Sequence, residues 1–211
     1  MARIAHRIIS DEVELRALIG HPTELIELKV SDRRNELTRQ FIEGSPFVCV
    51  ATSSTDGGLD VSPRGDPPGF VRILDERTLL IPERPGNRLA DTLTNLLQDP
   101  RIALLFLIPG IGDTFRVNGR GVIVDDPELL SPCAVEDKPP RLGILVTIEE
   151  VFTHCPKAMI RSQIWSTEGH IARSELPSSG SILRSLVDPA FDADGYDQAR
   201  AERYRRREGL Y

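Results

Sequence analysis

The chain has 211 residues, of which 40% are hydrophobic and 27% charged, which excludes disorder along its whole length. Its 16 glycines follow no Gly-X-Y period and it has only 3 cysteines, so collagen-like and disulfide-scaffold classes are excluded as well. With 26 basic against 32 acidic residues, net −6, it lacks the basic surplus that a dedicated nucleic-acid binder needs.

The first predicted element is a helix over Ser10–Gly20, capped by Ser10 or Asp11, favoured at its positive end by Glu12 and Glu14, and stopped by Gly20. A second helix is predicted over Asp32–Glu43, with Leu37, Phe41 and Ile42 as its apolar edge. From Pro46 the pattern becomes extended. Phe47–Thr52 and Leu59–Ser62 flank the turn residues Thr55–Gly58 and read as a hairpin. Phe70–Leu74 and Thr78–Ile81 form a second pair around Asp75–Arg77. Gly86–Gln98 carries Leu89, Leu93, Leu96 and Leu97 on one helix face and ends at Asp99-Pro100. Arg101–Ile108 reads as a central strand. Thr114–Asp125 is a long strand with bend or bulge points at Gly119 and Gly121. A helical turn at Asp126–Leu130, a strand at Leu142–Phe152 and a helix from Pro156 to about Ile164 follow. Pro177–Ser181 reads as a linker, and Asp192–Tyr211 as a charged, solvated helix.

About six strands joined mostly by hairpins imply an antiparallel sheet, most simply closed into a barrel. The expected class is mainly β with peripheral helices (α+β). The expected division is a helical extension over 1–45, a barrel domain over 46–165, and a helical, charged extension over 166–211 packed on that domain.

Cys49, Cys133 and Cys155 contain no CxxC pair, and His6, His21, His154 and His170 are scattered, so no metal site is expected. Free thiols, an N-terminus without an apolar signal core and a longest apolar run (Ile102–Pro109) too short for a bilayer point to a cytoplasmic protein without membrane partners.

Three stretches suit chemistry. Asp60–Gly69 joins two strands; its prolines, glycines and Arg64 suit a planar, anionic, hydrogen-bonding ligand, or form a plain Pro/Gly loop. Ile81–Arg88 opens the predicted helix at Gly86. Arg84 and Arg88 there oppose the helix dipole, which a bound phosphate would reverse, unless both are solvated surface residues. In His154–Trp165, Lys157 and Arg161 share a helix face. A Cys155–His154 nucleophilic pair is disfavoured, because neighbours on a strand face opposite ways, and Cys155 is expected as a small buried residue. The arginines Arg203, Arg205, Arg206 and Arg207 are offset by Asp192, Asp194, Asp197, Glu202 and Glu208, which favours a solvated helix over a nucleic-acid arm.

Four motifs together resemble one family: ATSSTDGGLDVSPRGDPPGF at Ala51–Phe70, IPERPGNR at Ile81–Arg88, NLLQDPRIALLFLIPG at Asn95–Gly110 and HCPKAMIRSQIW at His154–Trp165. In this order they are similar to the pyridoxamine 5'-phosphate oxidase-like, FMN-binding split-barrel proteins, specifically a bacterial branch of FMN-dependent enzymes. The resemblance runs over roughly 41–165. It implies a six-stranded antiparallel split β-barrel that dimerises with two FMN molecules at the subunit interface. It places Ser62, Arg64, Gly65 and Asp66 at the flavin, Pro82, Arg84, Asn87 and Arg88 at the phosphate end, and Lys157 and Arg161 beside the flavin, from the partner subunit, as candidates for a part in the chemistry. The Arg- and Trp-bearing C-terminal signature of the true oxidases has no counterpart; this chain reads RYRRREGLY at 203–211. The implied activity is therefore FMN-dependent oxidoreduction of an unidentified substrate rather than vitamin B6 oxidation. A deazaflavin-dependent reductase and a non-catalytic flavin- or haem-binding protein are the alternatives.

Overall fold

Asp11 accepts the Glu14 N–H at 2.8 Å and starts helix α1 (Glu12–Ile19), which ends at Gly20 with φ 76. This is the first helix of a computed structural model describing residues 7–211; the sequence readings that fall on 1–6, including His6, lie outside the described residues. A single helical turn, α2 (Glu24–Glu27), follows without having been expected. Helix α3 (Glu36–Glu43) begins later than predicted because Asn35, not Asp32, is its cap: its side chain accepts from Leu37 and Thr38 at 3.0 and 2.9 Å. Ile42 is buried and Phe41 stacks on Phe115 at 5.9 Å. Leu37, expected on the same edge, is exposed, because only the Phe41–Ile42 side meets the sheet.

The strands are β1 (Phe47–Ser53), β2 (Leu59–Gly65), β3 (Arg72–Ile73), β4 (Thr78–Glu83), β5 (Arg101–Leu107), β6 (Thr114–Val124) and β7 (Leu142–His154). They form one antiparallel sheet in the order β2-β1-β5-β6-β7-β4-β3. Six are long; β3 is the two-residue remnant of the predicted Phe70–Leu74 strand, whose Phe70 and Val71 turn into the core instead. Each long strand except β2 contributes an apolar inward row, such as Val48 and Val50, Leu104 and Phe106, Phe115 and Val117, or Ile144 and Val146, and these rows make the core. The fold is thus the expected α+β class.

Among the described residues the ladder does not close by hydrogen bonds, as a full barrel would. β2 and β3 remain its edges. Side chains bridge the gap between β2 and β4 instead: Arg64 pairs with Glu83 at 2.9 Å, and Arg84 with Asp66 at 2.7 Å. The first half of the Asp60–Gly69 stretch is therefore strand rather than loop. Pro63 fits there because an edge strand needs no N–H on its free side. The β2 row that faces inward is polar (Asp60, Ser62, Arg64), while Leu59 and Val61 face out.

Helix α4 (Asp91–Gln98) covers the open end of this gap. It starts at Asp91 rather than Gly86, since Arg88 and Ala90 take left-handed φ of 65° and 61°. Leu93 and Leu96 pack on the core, whereas Leu89 and Leu97, predicted for the same face, are exposed. A one-turn helix, α5 (Pro127–Leu130), leads into β7, and α6 (Lys157–Ser162) follows it. Helices α7 (Ser179–Leu186) and α8 (Ala193–Arg205) pack on each other, with Asp197 accepting from the Gly180 N–H at 2.9 Å. No helix among the described residues is long and apolar enough to cross a membrane.

Candidate functional site

The polar row of β2, the end of β4 and the chain entering α4 surround a cavity of about 550 Å³. Its lining brings together Ser62, Arg64, Arg84, Asn87 and Arg88, five of the residues singled out from the sequence. Gly65, Asp66 and Pro82 line a smaller hollow of about 230 Å³, which shares Arg64 and Arg84 with the larger one. A volume of several hundred Å³ fits a small-molecule site, and a lining that includes Arg64, Arg84 and Arg88 suits an anionic one.

The floor is a hydrogen-bonded chain. Thr92, in the first turn of α4, donates to Asp60 at 2.6 Å and shares a 2.8 Å bond with Ser62. Ser62 accepts from Arg64 Nη1 at 2.9 Å, and Arg64 Nε donates to Glu83 at 2.9 Å. Arg64 is thus fixed before any ligand arrives. Arg84 is fixed as well: Nε donates to Asp66 at 2.7 Å and Nη2 to the Cys133 carbonyl at 2.7 Å. The Cys133 thiol itself is pushed up by burial. Asn87 accepts the Leu89 N–H at 2.9 Å and so holds the turn. Arg88, exposed on that turn, makes no ion pair among the described residues. The two arginines do not flank a helix N-terminus as predicted, because the left-handed residues delay α4; they lie on the loop between β4 and α4.

Lys157 and Arg161 line neither hollow. Glu83 sits opposite Leu142, at the start of β7, and α6 follows its other end. Twelve steps of strand, about 40 Å of extended chain, lie between. Within one chain the two residues are therefore apart from the cavity. His154 packs edge-on against Phe152 at 5.1 Å and is held below its usual range by burial, then by Arg116 and Lys29. Cys155 is exposed rather than buried, because the strand ends at His154 and Pro156 turns the chain outward. No group of three or more His, Cys, Asp or Glu among the described residues is placed to hold a metal.

Four site residues escaped the sequence reading. Asp60 was legible, since it shares the alternate row of Ser62 and Arg64. Glu83 lies inside the Ile81–Arg88 stretch but nothing there marks it as a partner of Arg64, and Thr92 carries no local signal. Neither does Tyr211, which donates to Asp66 at 2.9 Å from the far end of the chain. That hydrogen bond, then burial, raises the Tyr211 pKa. A raised pKa means the contact contributes fully below the ordinary tyrosine value of about 10 and is lost as pH rises through the folded value. Tyrosinate absorbance should therefore show a late alkaline step that Tyr211→Phe abolishes; an unchanged titration in that variant would show the hydroxyl to be free.

Residues 35–155 match a family model described as pyridoxamine 5'-phosphate oxidase. Among solved structures, HupZ of group A Streptococcus is 18% identical over 57% of this chain and 93% of its own, with a TM-score of 0.48. A protein of Clostridium acetobutylicum related to general stress protein 26, of the pyridoxinephosphate oxidase family, is 15% identical over 56% of this chain and 86% of its own, at 0.44. An F420 reductase is 18% identical over 53% and 94%, at 0.40. No curated protein sequence matches the chain.

Proposed function

Because the chain belongs to the pyridoxamine 5'-phosphate oxidase family, we propose that it is an oxidoreductase that works through FMN held in the cavity between β2, β4 and α4. The observation that carries this reading is the donor set. Arg64 and Arg84 are held by protein partners, while Arg88, on the same rim, has no carboxylate partner among the described residues. A terminal phosphate fits that arrangement, because a doubly fixed rim plus one uncompensated guanidinium favours a dianion without costly rearrangement.

When bound, FMN supplies hydride acceptance and donation. The chain's own residues do the rest. Arg88 and Arg84 hold the phosphate, and Asn87 shapes the turn that presents Arg88. Ser62 and Arg64 offer the flavin a prearranged hydrogen-bonding edge, with Gly65, Asp66 and Pro82 lining the adjoining hollow. The protein forms a homodimer, and Lys157 and Arg161 reach the site of the partner subunit, since they lie far from the cavity of their own chain. The exposed Leu59 and Val61 on edge strand β2 support such an interface.

The test is binding. Heat-denatured protein should release FMN, identified by chromatography; a deazaflavin or haem in its place would overturn the reading. Arg88→Ala should weaken FMN about 10- to 100-fold, from about 1.5–3 kcal/mol for a charge-assisted bond. Riboflavin, which lacks the phosphate, should lose far less. Equal losses for the two ligands would remove Arg88 from the phosphate site.

A further inference from the structure

The segment after α8 returns to the cavity rim. Arg207 pairs with Glu136 at 2.9 Å, and its guanidinium stands 5.8 Å from the Tyr211 ring. The other neighbour of that ring is the Arg84 guanidinium, at 5.3 Å. The Tyr211 hydroxyl donates to Asp66 Oδ1 at 2.9 Å, while Arg84 Nε donates to Asp66 Oδ2 at 2.7 Å. One enclosed carboxylate, 2% exposed, thus receives one donor on each oxygen.

This division matters for Arg84. A carboxylate with both oxygens available takes an arginine fork two-pronged, using two N–H groups. By donating to Oδ1, Tyr211 holds the carboxylate in the orientation that presents Oδ2 to Nε alone. Nη2 is spent on the Cys133 carbonyl, and Nη1 has no protein acceptor among the described residues. The guanidinium is held on three sides with one donor group left over, and it lies on the wall of the larger cavity. An arginine held this way before binding loses little further freedom when an anion arrives.

We propose that Tyr211 is a positioning residue for Arg84, so that the segment 207–211 completes the phosphate end of the cofactor site. The inference rests on the FMN reading above. Without the hydroxyl, the Asp66 carboxylate is free to turn and to draw Nη2 as well as Nε, which takes Nη2 off the Cys133 carbonyl and shifts the spare Nη1 with it. Without the ring, the guanidinium also loses the face that keeps it in plane.

The experiment measures FMN and riboflavin affinity by flavin fluorescence quenching in the full chain. Tyr211→Phe should weaken FMN about fivefold, and Tyr211→Ala about tenfold, while riboflavin changes less than about twofold. Arg84→Lys keeps the charge and stem but lacks the fork, so Tyr211→Phe added to it should have no further effect on FMN. Equal losses for both flavins, or losses that add across the two positions, would mean that Tyr211 only staples the segment down, and would overturn the proposal. A wild-type protein that binds FMN, with a Tyr211→Phe variant that binds it equally, overturns this inference and leaves the cofactor reading standing. A wild-type protein that binds neither flavin overturns both.

Discussion

Gly119→Ala is expected to leave little folded protein. An added Cβ would sit 2.1 Å from the Thr147 carbonyl oxygen and 3.0 Å from its carbon. Both are backbone atoms of the neighbouring strand, and no rotamer change can move them. Gly119 stands at the bulge where the β6–β7 register shifts, with β5 paired on its other side. The strand therefore has no free side toward which to retreat. The cost should reach about 4 kcal/mol or more, the range of severe backbone clashes. Denaturant unfolding measures it. A midpoint within error of wild type would show that the ladder yields at this point.

The second large effect concerns the bridge across the open seam. In the Arg84–Asp66 pair the side chains are 14% and 2% exposed. Arg84→Ala leaves the Asp66 carboxylate enclosed with only Tyr211 as a donor among the described residues, and should cost about 3–5 kcal/mol. Asp66→Ala should cost less, because Arg84 is the more exposed partner and keeps the Cys133 carbonyl. Arg84→Met combined with Asp66→Leu should recover much of the loss, since an apolar pair of similar volume has no charge to desolvate. Urea unfolding of the three variants decides. A loss near zero for Arg84→Ala would show that water already serves Asp66, and recovery absent from the double variant would show that the seam needs the ionic geometry itself.

These two residues also mark how far the amino-acid order is readable. Gly119 was legible as a bend in a strand because a glycine inside an alternating run has few other reasons to be there. The six long strands were legible for a local reason too: apolar, β-branched or alternating runs and the turn residues that bound them lie within a few positions of each other. The motif residues Arg64, Arg84 and Arg88 stood out by type and neighbourhood. The start of α4 was misplaced because left-handed φ at Arg88 and Ala90 is set by the path the chain must take between β4 and α4, and no residue type there announces it. The burial of single leucines went the same way. Leu37, Leu89 and Leu97 fit an apolar face in the helical period, but only packing against the sheet decides which part of that face is covered.

Partnerships at the site were the part no local reading reaches. Whether Arg84 is a solvated cation or a fixed one depends on Asp66, Cys133 and Tyr211, which stand 18, 49 and 127 positions away along the chain. Whether Lys157 and Arg161 serve their own cavity depends on which end of β7 they follow, a matter of sheet order rather than of spacing. Local sequence encodes torsional preference and the sign of each side chain's interaction with water. The pairing of charges across an open seam arises only when strands distant in sequence are brought edge to edge, because Coulomb and hydrogen-bond energies act over distances in space.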